Sequence, residues 1–286
     1  MKTREGSIVR NGFSLKYVRE GAGEPVLVIG SRLFYQRLFS PTLKQQLDFV
    51  VADHRGFSIP PETDQSPQEL YTLEEITEDI EALRKELNWQ RFWIAGHSGH
   101  GYMALDYAKK YPDQVKGVIL IGTGTSLSTE NHALADLHFD TLAEPERVAA
   151  LQSGMEKLAA AVEAEPEKAF LHFNLAQAPK SWMNLETDVA AFWEGVSTNM
   201  PAIDYLWGEV FRDIDITKGL NDFYTPVWLA IGKYDYLAGP AEQWTPLTKQ
   251  FPDLTIEIFE HSSHNPPYEE APLFDQKLLA WMELYQ

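Results

Sequence analysis

The chain has 286 residues, 44% hydrophobic and 23% charged, which suits one large soluble domain with an insertion and a sizeable core. Its 24 Lys and Arg against 42 Asp and Glu leave a formal charge of −18, a field that repels nucleic acid and anionic membrane surfaces. Cysteine is absent, which excludes disulfides, thiolate nucleophiles and Cys-ligated zinc.

The first residues carry no apolar run of the kind that forms a signal-peptide core, and no stretch reaches the roughly 18 apolar residues of a membrane span. The expectation is a cytoplasmic protein, monomer or homodimer, that handles a small-molecule substrate with no metal or cofactor and no membrane or nucleic-acid partner.

In chain order, Ser7 to Glu20 reads as a hairpin turning at Asn11-Gly12, with Phe13, Leu15 and Tyr17 alternating against polar neighbours. Continuous apolar runs follow at Pro25–Gly30, Phe49–Ala52, Phe92–Gly96, Gly117–Gly122 and Val227–Gly232, the pattern of parallel strands buried on both faces. Helical patterns separate them. Thr72 and Glu75 have capping-box spacing, Tyr71 and Ile76 are placed for a hydrophobic staple, and Ile76, Ile80, Leu83 and Leu87 share one helix face. Further helices are expected at Tyr102–Tyr111, Pro145–Ala164 and Pro272–Tyr285. Strand and helix in alternation imply an α/β fold, a doubly wound sandwich. The alternation stops between Leu127 and Tyr224, where the chain is helix-compatible and aromatic-rich.

The most informative stretch is Phe92-Trp93-Ile94-Ala95-Gly96-His97-Ser98-Gly99-His100-Gly101, an apolar strand running into a small-residue turn and then a helix. A serine hydroxyl becomes a useful nucleophile only when a base takes its proton and N–H groups await the oxyanion. A tight strand-to-helix turn exposes the hydroxyl and places the next N–H at a helix N-terminus. The stretch resembles the nucleophile elbow of the α/β-hydrolase family, Gly-x-Ser-x-Gly. One position departs: His100 stands where the last glycine belongs, and Gly99 is expected to relieve the same crowding.

The resemblance implies an acid after a late strand and a histidine after the last one. Val227–Gly232 leads to Lys233-Tyr234-Asp235, and the alternating Thr255–Phe259 leads to His264, followed by Asn265-Pro266-Pro267-Tyr268-Glu269-Glu270. The other acid position used in the family falls at Gly122-Thr123-Gly124-Thr125-Ser126, which has no carboxylate, so Asp235 is the acid expected. His261 is the rival base, and His97 is expected to pack under the elbow. A metal held by His97, His100 and His264 is set aside for want of a ligand spacing. The oxyanion hole is expected from Gly99 N–H and from Ser31 or Arg32, since Gly30-Ser31-Arg32-Leu33 replaces the family's His-Gly. Asp53-His54-Arg55-Gly56-Phe57 is similar to another family landmark and should brace the loops around the site.

The resemblance spans the whole chain and looks closest to the proline-iminopeptidase-like and small-esterase branch. It implies an α/β-hydrolase sandwich with a mostly parallel sheet, a core at 1–126 and 225–286, and a helical cap at 127–224. His100, Trp182, Trp193 and Trp207 are expected in the substrate pocket. The implied activity is hydrolysis of a small ester, lactone or amide through an acyl-enzyme on Ser98. Alternatives are a proline-iminopeptidase-like aminopeptidase, with Glu194, Asp204 or Glu209 holding the amine, and a non-hydrolytic binding protein on the same scaffold. A perhydrolase or C–C bond hydrolase would use the same three residues.

Overall fold

The computed structural model describes residues 3–285. Asn11 and Gly12, both left-handed at φ 48° and 80°, turn β1 (Arg4–Arg10) back on β2 (Phe13–Glu20) in an antiparallel pair. The remaining strands are β3 (Glu24–Gly30), β4 (Leu47–Asp53), β5 (Phe92–His97), β6 (Val115–Ile121), β7 (Val227–Gly232) and β8 (Leu254–Phe259). Among the described residues these eight form one sheet in the order β1-β2-β4-β3-β5-β6-β7-β8. From β4 to β8 every neighbouring pair is parallel.

The continuous apolar runs have a simple cause. Successive side chains point to opposite faces of the sheet, and both faces are covered. Leu27, Ile29, Ile94, Val118 and Leu120 pack with helices Leu73–Glu86 and His100–Lys110 on one side. Val26, Val28, Trp93, Ile119 and Trp228 pack with helices Arg32–Leu38 and Ala271–Glu283 on the other. Each such side chain taken wholly out of water contributes about 1.5–3 kcal/mol.

Local predictions at the Leu73–Glu86 helix hold only in part. The Thr72 hydroxyl accepts from the Glu75 N–H, as a cap should. Glu75 does not complete the box, because its carboxylate is bound by Arg10 and Arg55. Tyr71 packs on Phe13, with ring centroids 6.0 Å apart, instead of serving as a staple for Ile76.

Those arginines tie the first strands to this helix. Arg55 follows β4, is 0% exposed, and bonds Asp79 through Nε at 2.6 Å and Glu75 through a terminal nitrogen at 2.8 Å. Arg10 reaches the same two carboxylates. Burial pushes the Asp79 carboxyl above its usual range even though two guanidiniums pull it down. Asp53 makes a similar pair with Arg32 on the other side of the turn.

Between β6 and β7 the described chain carries helices and no strand, including Thr129–Leu142 and Pro145–Ala164. Residues 180–183 bind this excursion to the loops that follow β7 and β8. Lys180 O accepts from Tyr236 N–H and Ser263 Oγ, and Ser181 O accepts from His264 N–H and Asn265 Nδ2. Glu269 joins both sides: its carboxylate accepts from the N–H groups of Met183, Ser263 and Asn265. Burial pushes that carboxyl up to about 7, against the pull of the three amides.

Two outcomes follow from these buried charges. Replacing Arg55 with Met leaves Asp79 buried with Arg10 alone, and urea denaturation should show a loss of about 3–5 kcal/mol. A carboxyl that titrates high in the folded state favours folding most below the ordinary carboxylate range, and loses that contribution as pH rises through about 7. The native Tm should therefore fall more steeply than that of Glu269→Gln between about pH 5 and about pH 8. Parallel curves would mean that Glu269 titrates normally.

Candidate active site

Strand β5 passes into helix His100–Lys110 through only Ser98 and Gly99. Ser98 makes the turn in the left-handed region, at φ 55°, a conformation that costs a non-glycine residue about 1–3 kcal/mol. Its N–H is held by Ile121 O at 2.8 Å, at the end of β6. The crowding that requires small residues is visible on both flanks. A Cβ on Gly96 would lie 2.2 Å from the His100 carbonyl oxygen, and one on Gly101 would lie 2.3 Å from Thr123 Oγ1. The expectation that Gly99 relieves this crowding is corrected: Gly99 faces the Trp207 ring, and Gly101 is the residue pressed against the next strand's loop.

His264 and Asp235 come together as the sequence implied. His264 Nδ1 and Asp235 Oδ2 are 2.8 Å apart, with Asp235 0% exposed. The other carboxylate oxygen accepts from the N–H groups of Leu237 and Ala238, at 3.0 and 2.8 Å, so the acid is fixed at both ends. An acceptor on Nδ1 sets the proton there and leaves Nε2 as the basic nitrogen. His264 and Ser98 line one cavity of about 910 Å3. No hydrogen bond joins the serine hydroxyl to the imidazole among the described residues; such contacts tighten when substrate binds. The rival, His261, is exposed and lines a different, open groove beside Tyr268.

Of the two residues expected to complete an oxyanion hole, Arg32 is corrected. Its N–H donates to Asp53 Oδ1 at 2.7 Å and its guanidinium to Asp53 Oδ2, also at 2.7 Å. The N–H groups of Ser31 and Gly99 are not donated to any group among the described residues. Ser31 also caps helix Arg32–Leu38 with its hydroxyl.

Trp182, Trp193, Trp207 and His100 all line the cavity. Phe34, Phe170 and Ile203 extend the same apolar wall. Lys180 is paired with Asp136 at 2.6 Å where both border the cavity. Of the candidate amine anchors, all exposed, Glu194 and Glu209 do not line the cavity and Asp204 does.

His97 and His100 have both ring nitrogens in hydrogen bonds, and His264 has one on Asp235, so the three rings offer a metal a single uncommitted nitrogen. Among the described residues no group of three His, Cys, Asp or Glu is placed to hold a metal ion. Sequence reasoning missed Tyr35, which bonds both His97 and His100, and Ser181, which holds the backbone of His264. Within Leu33-Phe34-Tyr35 the tyrosine reads as core. No local signal marks Ser181. Glu269 had one weak signal, its place in the segment after His264.

A family model described as alpha/beta hydrolase fold matches residues 21–271. The AB hydrolase superfamily protein YclE of Bacillus subtilis (strain 168) is 39% identical over 280 residues, covering 98% of this chain and 99% of that one. A cis-3-alkyl-4-alkyloxetan-2-one decarboxylase of Shewanella oneidensis is 34% identical over 119 residues, 40% of this chain and 37% of that protein. Among solved structures, a proline iminopeptidase of Mycobacterium smegmatis superposes with a TM-score of 0.73 at 14% identity, covering 99% of this chain and 98% of that one. The match across most of the length and the near full-length relative lead to one conclusion: the chain belongs to the α/β-hydrolase fold family.

Proposed function

We propose that Ser98, His264 and Asp235 form a catalytic triad that hydrolyses a neutral ester or lactone, in a core of residues 1–126 and 225–286 closed by a helical cap at 127–224. One observation carries the reading. A serine held at φ 55° at a strand-to-helix turn shares a cavity with a histidine whose Nδ1 is already bound to a buried aspartate. A binding protein on this scaffold needs no acid fixed through both oxygens, as Asp235 is.

Ser98 Oγ attacks the carbonyl carbon while its proton passes to His264 Nε2, and Asp235 steadies the imidazolium that forms. The N–H groups of Gly99 and Ser31 hold the carbonyl oxygen as it gains charge. The tetrahedral species collapses, the C–O bond to the leaving group breaks, and the imidazolium proton goes to the departing oxygen. Water then gives a proton to His264 and attacks the acyl-enzyme. The acid leaves, and the proton returns to Ser98.

The cavity wall selects against charge. It is mostly aromatic and aliphatic, Lys180 and Asp136 in it are paired with each other, Glu194 and Glu209 lie outside it, and Asp204 is the carboxylate that lines it without an ion-pair partner among the described residues. Away from Asp204, a free charge bound there would be desolvated without a partner. The Shewanella relative's name specifies an oxetan-2-one, a neutral cyclic ester, as the compound acted on, and decarboxylation as the reaction.

A fluorophosphonate probe should label the native protein at Ser98 and leave Ser98→Ala unlabelled, with His264→Ala slowed by at least about 10³-fold. A folded native protein that resists the probe would favour the binding-protein reading. Across a panel of p-nitrophenyl alkanoates, simple lactones and prolyl p-nitroanilide, kcat/KM for neutral esters should exceed that for the prolyl amide by at least about 10²-fold. The reverse order would return the aminopeptidase to first place.

A further inference from the structure

Three histidines that the proposed reaction does not use lie behind the base, and a backbone group fixes one ring nitrogen of each. Gly56 N–H donates to His54 Nδ1 at 3.0 Å, so a neutral His54 carries its proton on Nε2. His100 Nδ1 lies 3.0 Å from the His97 carbonyl, which only accepts, so His100 carries its proton on Nδ1. His97 Nε2 lies 2.9 Å from the His264 carbonyl, which places the His97 proton on Nε2.

The remaining contacts then have one solution. His54 Nε2–H donates to His100 Nε2 at 3.1 Å. The His100 Nδ1–H is shared with Tyr35 Oη at 2.9 Å. The Tyr35 hydroxyl donates to His97 Nδ1 at 3.1 Å. Donors and acceptors alternate without a break from Gly56 N–H to His264 C=O, and every member is neutral.

We propose that His54, His100, Tyr35 and His97 act as one proton-ordered chain of positioning residues, which holds the backbone of His264 and keeps positive charge out of the space behind it. The proposal rests on His264 being the base. His97 Nε2–H grips the His264 carbonyl while Ser181 O takes the His264 N–H at 3.2 Å, so the base is held on both sides of its own Cα. The His97 and His264 rings are 4.4 Å apart between centroids. A neutral ring there leaves the imidazolium of the reaction unopposed, whereas a second cation at that distance would disfavour it.

The chain itself refuses a proton. An added one would set His54 Nδ1–H against Gly56 N–H or His100 Nε2–H against His54 Nε2–H, and at His97 Nδ1 it would turn the buried Tyr35 hydroxyl from donor to acceptor and leave that hydroxyl's hydrogen without the His97 nitrogen. The aromatic groups packed around these rings are Trp207, Phe57, Tyr35, one another and His264. No carboxylate bonds any of the three rings among the described residues. Burial accordingly pushes all three below the usual histidine range, His100 to about 4. His100, where the family has glycine, thus links the elbow to the turn after β4 and takes no proton in the reaction.

The test is two-bond 15N–1H NMR on 15N-histidine-labelled protein, combined with kinetics of Tyr35→Phe. Native protein should show Nε2–H tautomers for His54 and His97 and the Nδ1–H tautomer for His100, unchanged from about pH 8 to about pH 5.5. An Nε2–H tautomer at His100, or ordinary titration of any of the three, overturns the proposal. Tyr35→Phe should lower kcat roughly tenfold with KM nearly unchanged, and slow fluorophosphonate labelling in parallel, at temperatures where the variant is fully folded. His97→Gln, which keeps a donor and an acceptor, should retain more activity than His97→Leu. A lower Tm with unaltered kcat and labelling would reduce the chain to packing. Failure of the catalytic reading itself shows separately, as native protein that does not label at Ser98 whatever the tautomers.

Discussion

Bringing β5 into the following helix with only two intervening residues leaves Ser98 to absorb the change of direction, at φ 55°. Such strain persists only where the surroundings over-determine it. Here Ile121 holds the serine N–H, Gly96 admits the His100 carbonyl where no side chain would fit, and Gly101 admits Thr123. The position of β6 and the start of the helix are therefore fixed by the same turn that presents the hydroxyl. Parallel neighbours bring the loops after β3, β5, β7 and β8 to one end of the sheet, and each contributes one part of the site.

Much of this was legible because the signals are local. Strands buried on both faces must be apolar at every position, so Val26–Ile29 and Val227–Ile231 stand out without any partner being known. The elbow is legible because close backbone approach removes side chains from a few adjacent positions. The pairing of Asp235 with His264 was reachable through chain order after a resemblance, and the 2.8 Å contact is what that order implied.

What stayed hidden depends on partners distant in sequence. Glu75 has the spacing of a capping residue, yet two arginines outcompete the helix terminus for its carboxylate. Arg32 and Ser31 are adjacent and equivalent on paper; Asp53, 21 residues on from Arg32, removes one of them from contention. Tyr35 sits in a run of core residues, and only the approach of helix Arg32–Leu38 to the elbow, 62 residues later at His97, gives its hydroxyl a task.

The bonds from residues 180–183 to the loops of Asp235 and His264 bear on how such enzymes can be recombined. An excursion stitched to the backbone of His264 is not a detachable module. A graft that replaces the helices between β6 and β7 with those of a relative removes the acceptor for the His264 amide and one of the three N–H donors to Glu269. Exchange of specificity between relatives would succeed only if the 178–183 turn and the 263–269 loop travelled as a matched pair, or if the cuts were made inside the excursion, beyond that turn.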